Sequence, residues 1–434
     1  MRENAPTIDN ADGKPVAILI CHGMGQQVPF ETLDCVAKAI ARAERRRHRR
    51  APPVSVRLAR LGDQHLPRAE MQITTPGGQL RSVHLYEAYW APLTEGKVTA
   101  ADVTSFLLDA WRRGMRYARA GVMTRHIFGR KRTFPLPPWT ITQLVAAFAV
   151  LCTGWSVFFA TWLVMPFLLA ACARQDGLGW RLVMVIDGWG MLAAITWQMR
   201  QLYFQYVGDV AAYVSSHKVN RFAEVRFAVR KVALDLARAV YGARAPAGGE
   251  EYGEVYVVGH SLGSVVAYDT LNSMLNEDLL ASPEKRLRVR DRTRLLLTLG
   301  SPLDKTAFIF RTQLKDAPVR EALAEAMQPL IQSYDHRPDY WVNIHTWKDP
   351  ISGPLNLYDI PNPTPRDLRH RARFIRNTVD PDARRLGRAH VDYWGHPLLG
   401  NVLHDVLGGL EPVPDAVPRF RGEERLADAE TAAP

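Results

Sequence analysis

Cysteine is scarce in this 434-residue chain: Cys21, Cys35, Cys152 and Cys172 are all it has. No two form a Cys-x-x-Cys pair and their spacing fits no disulfide framework, which argues against a zinc knuckle or a stapled secreted scaffold. A reducing compartment fits better. The first fifteen residues contain Glu3, Asp9 and Asp12 and no apolar run, so no secretory signal is expected there. Internal repeats are absent as well.

Two further absences are local. Residues 111–132 contain no acid, while Arg112, Arg113, Arg116, Arg119, Arg125, Arg130, Lys131 and Arg132 crowd into them. Residues 139–173 then contain no charge of either sign, and residues 182–199 only Asp187. A helix needs about 20 apolar residues to cross the hydrocarbon layer, so this pattern predicts a transmembrane helical hairpin with Pro166 as a break. Trp139, Trp155 and Trp162 suit its interfacial parts. Basic residues before 139 and after 199 put the rest of the chain on the cytoplasmic side and would attract anionic lipid. The net charge of +11 invites partners with negative surfaces, nucleic acid or anionic lipid alike, and composition does not choose between them. Nucleic acid is not expected as a partner, because the arginine clusters lack interleaved aromatics and a recognisable module.

What the chain does have is a stretch around which the rest is arranged. Glu254-Val255-Tyr256-Val257-Val258 reads as a buried strand and runs into Gly259-His260-Ser261-Leu262-Gly263. Apolar residues at helical spacing follow. Strand, tight turn and helix present the Ser261 hydroxyl clear of the sheet edge, and the glycines let the two elements pass closely. The helix start turns free N–H groups, Leu262's first, toward any negative charge that develops there.

Earlier in the chain, Val16-Ala17-Ile18-Leu19-Ile20 is a continuous apolar strand ending in Cys21-His22-Gly23-Met24-Gly25. The N–H of Gly23 or Met24 is the candidate second oxyanion donor. Residues 31–50 read as an amphipathic helix whose arginine-rich end matches the helix dipole. Strands are expected at 54–61 and 81–90, with Glu87 a candidate buried carboxylate, and helix from 201 to 238. Further strands at 295–300 and 340–347 end in Ser301-Pro302-Leu303-Asp304 and Lys348-Asp349-Pro350. A last apolar helix covers about 398–407, and the residues from 411 onward form a loose tail.

A reactive serine needs a base, and the base needs an acid to orient it. Asp349 leads for the acid because it ends a strand and is followed by proline; Asp304 is the alternative. His390 leads for the base because Val391, Tyr393 and Trp394 can anchor its loop, and His396, before Pro397, is the alternative. The spacing of His390, Asp392 and His396 matches no metal pattern, so neither metal nor other cofactor is expected.

These motifs resemble the α/β-hydrolase superfamily, particularly its lipase and esterase branches, over about 16–110 and 206–408. The resemblance implies Ser261 as nucleophile, Asp349 and His390 as its partners, and an oxyanion hole at Leu262 and Gly23–Met24. The expected fold is therefore α/β, a mostly parallel sheet with helices on both faces, interrupted by the apolar hairpin. Residues 1–110 and 206–410 form the core, 111–205 the basic flank and insertion, and 411–434 the tail. The antiparallel strands that usually open such a fold are not in front of residue 16; they are either missing or placed elsewhere, residues 54–90 being one place for them. The expected function is a membrane-associated serine hydrolase cleaving an acyl ester, with lipid as the leading substrate. A non-catalytic, membrane-anchored scaffold binding anionic lipid or a protein is the alternative.

Overall fold

The computed structural model describes residues 13–23, 28–50, 52–94, 220–307, 326–349, 351–359, 363–383 and 388–412, with isolated positions elsewhere. Strand β1 (Val16–Cys21) is buried along its whole length, as its unbroken apolar sequence requires. Helix α1 (Glu31–His48) follows, then β2 (Ser55–Leu61), β3 (Gln64–Thr74) and β4 (Leu80–Ala88). After residue 219 come α2 (Asn220–Gly242), β5 (Glu254–His260), α3 (Leu262–Leu280) and β6 (Thr293–Leu299). Strands β7 (Tyr340–His345) and β8 (Ile375–Val379), the short helix α4 (Ala389–Asp392) and helix α5 (Pro397–Leu407) complete the set used below.

The eight strands form one mixed sheet in the order β8-β7-β6-β5-β1-β4-β3-β2. Its pairings are parallel from β8 through to β4, and only β3 runs against the rest. The antiparallel pair thus lies between α1 and β4. Strand β3 was not legible in the sequence, since Pro67 interrupts it. That proline is tolerated because β4 pairs with β3 only from Ala69 onward, so the missing N–H breaks no bond to β4. Strand β8 was hidden in an arginine-rich stretch.

Period-two alternation divides β1 between two cores. Val16, Ile18 and Ile20 pack with Leu33, Val36 and Ile40 of α1 and Leu399, Val402 and Val406 of α5. Ala17, Leu19 and Cys21 face Val225, Val229 and Val240 of α2 and Val265, Val266 and Leu271 of α3. Helices α1 and α5 approach closely because position 400 is glycine. A Cβ there would lie 2.3 Å from the Ala39 carbonyl oxygen.

The expected transmembrane hairpin needs correction. Among the described residues no helix is long and apolar enough to cross a membrane. The long described helices carry charge within them: α2 holds Arg226, Arg230, Lys231 and Asp235, and α3 holds Asp269, Glu277 and Asp278. Residues 139–199 themselves, isolated positions aside, lie outside the described residues, as do 201–219, 95–111 and the tail from 413.

Candidate active site

Chain order changes direction at β1 and β5: from β1 the chain goes on to build the β4 side, and from β5 it builds the β6 side. The crevice beyond the carboxyl ends of such a strand pair is where open α/β sheets place ligands. The parallel register sets Cys21 beside Gly259, so two residues farther on Gly23 comes level with Ser261. A Cβ on Gly23 would lie 3.2 Å from that of Ser261 and 2.9 Å from His260 Nδ1.

Ser261 has φ 53° and ψ −130°, a backbone conformation that a side chain rarely adopts. Its surroundings over-determine it. The Ser261 N–H donates to the Leu299 carbonyl at 2.9 Å. Its own carbonyl accepts from Ser264 Oγ at 2.6 Å, and Ser264 Oγ is 2.6 Å from Ser301 Oγ, which accepts from the Leu303 N–H at 3.3 Å. The glycines are equally constrained. A Cβ on Gly259 would meet Ser264 Cα at 2.5 Å, and one on Gly263 would meet the carbonyl oxygens of His22 and Cys21 at 2.1 and 2.2 Å.

Three side chains far apart in sequence meet at this turn. Ser261 Oγ is 2.8 Å from His390 Nε2, and His390 Nδ1 is 2.9 Å from Asp349 Oδ2. All three residues are buried. The arrangement calls for an Nδ1–H donor to the carboxylate and an Nε2 that accepts the serine proton. Asp349 Oδ1 accepts the Ile351 N–H at 2.9 Å, and Oδ2 also accepts the Tyr393 hydroxyl at 2.9 Å. Burial pushes the Asp349 carboxyl up, but His390, the Ile351 N–H and the Tyr393 hydroxyl together outweigh it and hold the group below its ordinary value.

The loop that bears His390 is tied at several points the sequence did not reveal. His260 Nε2–H donates to the His390 carbonyl at 2.8 Å. Arg42 donates to the carbonyls of Gly395 and Trp394 at 3.0 and 3.1 Å. Arg46 reaches Asn401 and Arg47 pairs with Asp405, so the exposed basic end of α1 also tethers the C-terminal segment. Gly300, at φ +55°, leaves room for the ring edges of Tyr393 and His390, which a Cβ would meet at 2.9 and 3.2 Å.

The loop after β1 is held by His22. Its Nε2 accepts the Trp90 N–H at 2.9 Å, its Nδ1–H donates to the Gly23 carbonyl at 2.7 Å, and its ring stacks on Trp90. Burial pushes this imidazole down to about 4, which keeps it neutral as both bonds require. Leu262 is the first residue of α3, and its N–H belongs to the set with no intrahelical partner. Met24 lies outside the described residues.

The two alternatives are engaged elsewhere. His396 caps α5 ahead of Pro397, and its Nδ1 is 2.7 Å from Asp380 Oδ2. Asp304 accepts from Lys305 Nζ at 3.2 Å on both oxygens. Among the described residues Glu44, His48 and His404 could offer three metal-ligand atoms. The Glu44 carboxylate, however, already accepts from the Thr74 N–H and hydroxyl and sits 2.7 Å from His404 Nε2. The Arg47 guanidinium, 3.3 Å from His404 Nδ1, repels a cation there.

No protein family, curated protein or solved structure matched this chain. A hydroxyl hydrogen-bonded to an imidazole, itself oriented by a buried carboxylate, is an arrangement that can deprotonate an alcohol as it attacks an electrophilic carbon.

Proposed function

We propose that this protein is a serine hydrolase of the α/β-hydrolase type that cleaves carboxylic esters through an acyl-enzyme. The observation that carries the reading is the continuous relay of Ser261, His390 and Asp349 at 2.8 and 2.9 Å behind a strained nucleophile. Ser261 Oγ attacks the ester carbonyl carbon as its proton passes to His390 Nε2. The resulting oxyanion is met by the Leu262 N–H at the positive end of α3 and by the backbone around Gly23. Collapse expels the alcohol, which takes the proton from His390. Water then repeats the sequence on the acyl-enzyme, and Asp349 keeps the imidazole in the required tautomer throughout.

Support for the hydrolase type comes from the strand, turn and helix at Ser261 and from the acid and histidine following it in that order. We extend the proposal to substrates with apolar acyl chains on the uncharged composition of residues 139–173. Hydrolysis rates across esters of graded chain length test that extension; a preference for acetyl over longer chains would end it.

The main test is labelling of the full chain by a fluorophosphonate. Label is expected on the wild type and on a Ser282→Ala control, and is lost in Ser261→Ala. A folded wild-type protein that takes no label would overturn the proposal.

A further inference from the structure

We infer that Tyr393 is a positioning residue of the relay, setting the proton affinity of His390 through Asp349. The inference rests on the reading of Ser261, His390 and Asp349 as one catalytic unit. His390 and Tyr393 are three residues apart on successive helical turns, so both side chains leave the same side of the segment. Both end on one atom: Asp349 Oδ2 is 2.9 Å from His390 Nδ1 and 2.9 Å from the Tyr393 hydroxyl. The ring is 1% exposed and lies against Gly300, and its hydroxyl is also 3.2 Å from Ser352 Oγ. Tyrosine carries a single O–H, and Oδ2 is its charged acceptor.

The physical consequence follows from sharing. A carboxylate oxygen that accepts a second, strong hydrogen bond has less negative charge to offer the imidazole, so it stabilises the imidazolium less. With the bond in place the imidazole is released more readily as a neutral base. Without it, His390 holds its proton to higher pH. Other ionisable groups near the relay are His260 at the end of β5, His345 at the end of β7, and His22, Asp304, Lys305 and Asp380 in the loops beyond. None of them changes in a Tyr393→Phe variant, which also keeps the ring.

The test is a titration of His390 itself, read from its 13Cε1 resonance in the full-length protein and assigned with His390→Gln. Tyr393→Phe is expected to raise the midpoint by about half to one pH unit, and to add nothing further in an Asp349→Asn background. A midpoint unmoved in Tyr393→Phe, with melting like the wild type, would reduce Tyr393 to packing. Should that variant fail to fold, 3-fluorotyrosine at position 393 makes the hydroxyl a stronger donor. The midpoint then falls, and no change overturns the inference. This readout needs no turnover: a shifted midpoint in a protein that takes no fluorophosphonate would sink the hydrolase reading and leave the role of Tyr393 standing.

Discussion

His260 illustrates how a residue beside the proposed nucleophile can shape the site through a neighbouring loop. It lies between the Gly23 loop and the base, with its ring 5.0 Å from that of His390 and its Nε2–H on the His390 carbonyl. Burial first, and then the neighbouring His390, push its imidazole down to about 3, so it stays a neutral donor through the working range. Removing that donor in His260→Phe frees the base loop while preserving a ring. Turnover is expected to fall about 10- to 100-fold, as for misplacement of a reacting group by a fraction of an ångström to one ångström, with KM little changed. His260→Gln keeps a donor and is expected to recover part of the loss. Equal turnover of the phenylalanine variant and the wild type in a steady-state ester assay would remove His260 from the positioning set.

At the level of elements, the turn from β5 to α3 is a place where sequence and backbone are tightly matched. Gly263 packs against the carbonyls of Cys21 and His22, so β1 and α3 can approach only if that position has no side chain. Gly263→Ala is expected to cost more than about 3 kcal/mol, because the clash is with backbone and cannot be relieved by a rotamer change. Gly242, the last residue of α2, has open space around its Cα. Gly242→Ala is expected to raise stability by about 0.5–1 kcal/mol through helix propensity. Denaturant unfolding of the two variants checks both; a stable Gly263→Ala would mean that β1 and α3 are farther apart than described.

For the molecule as a whole, the buried histidines set the response to acid. Burial is the leading cause that pushes His22, His84 and His345 down to about 4 and His260 to about 3. Between these values and the ordinary 6.5 the unfolded chain binds protons that the folded one refuses, so stability falls as pH drops below about 6.5. Glu87 opposes this. Burial raises it to about 7, so its ionisation costs stability as pH rises from 4.5 to 7. These four histidines against Glu87 leave a net uptake of about three protons on unfolding near pH 5.5; burial also lowers His404, which adds to that uptake, and raises Asp359, which opposes it. The unfolding free energy is expected to fall by about 2–4 kcal/mol per pH unit there, measurable from denaturant midpoints. A flat profile between pH 5 and 6.5 would contradict the neutral, buried state of these imidazoles.

The sequence by itself determined the parts whose cause is local. Largely apolar runs made β1, β5, β6 and β7 readable, and the spacing of Gly259, Ser261 and Gly263 marked the turn that only such glycines permit. It left open which acid and which histidine meet that serine, because Asp304 and His396 sit in settings as plausible to a local reading as Asp349 and His390. Only the tertiary structure decided between them, by spending Asp304 on Lys305 and His396 on Asp380 and by aiming His390 at Ser261. The partners of His390 lie 41 and 129 residues away in the chain. Contacts of that span leave no period or spacing behind, and exist only once the parallel sheet has brought its carboxyl ends together.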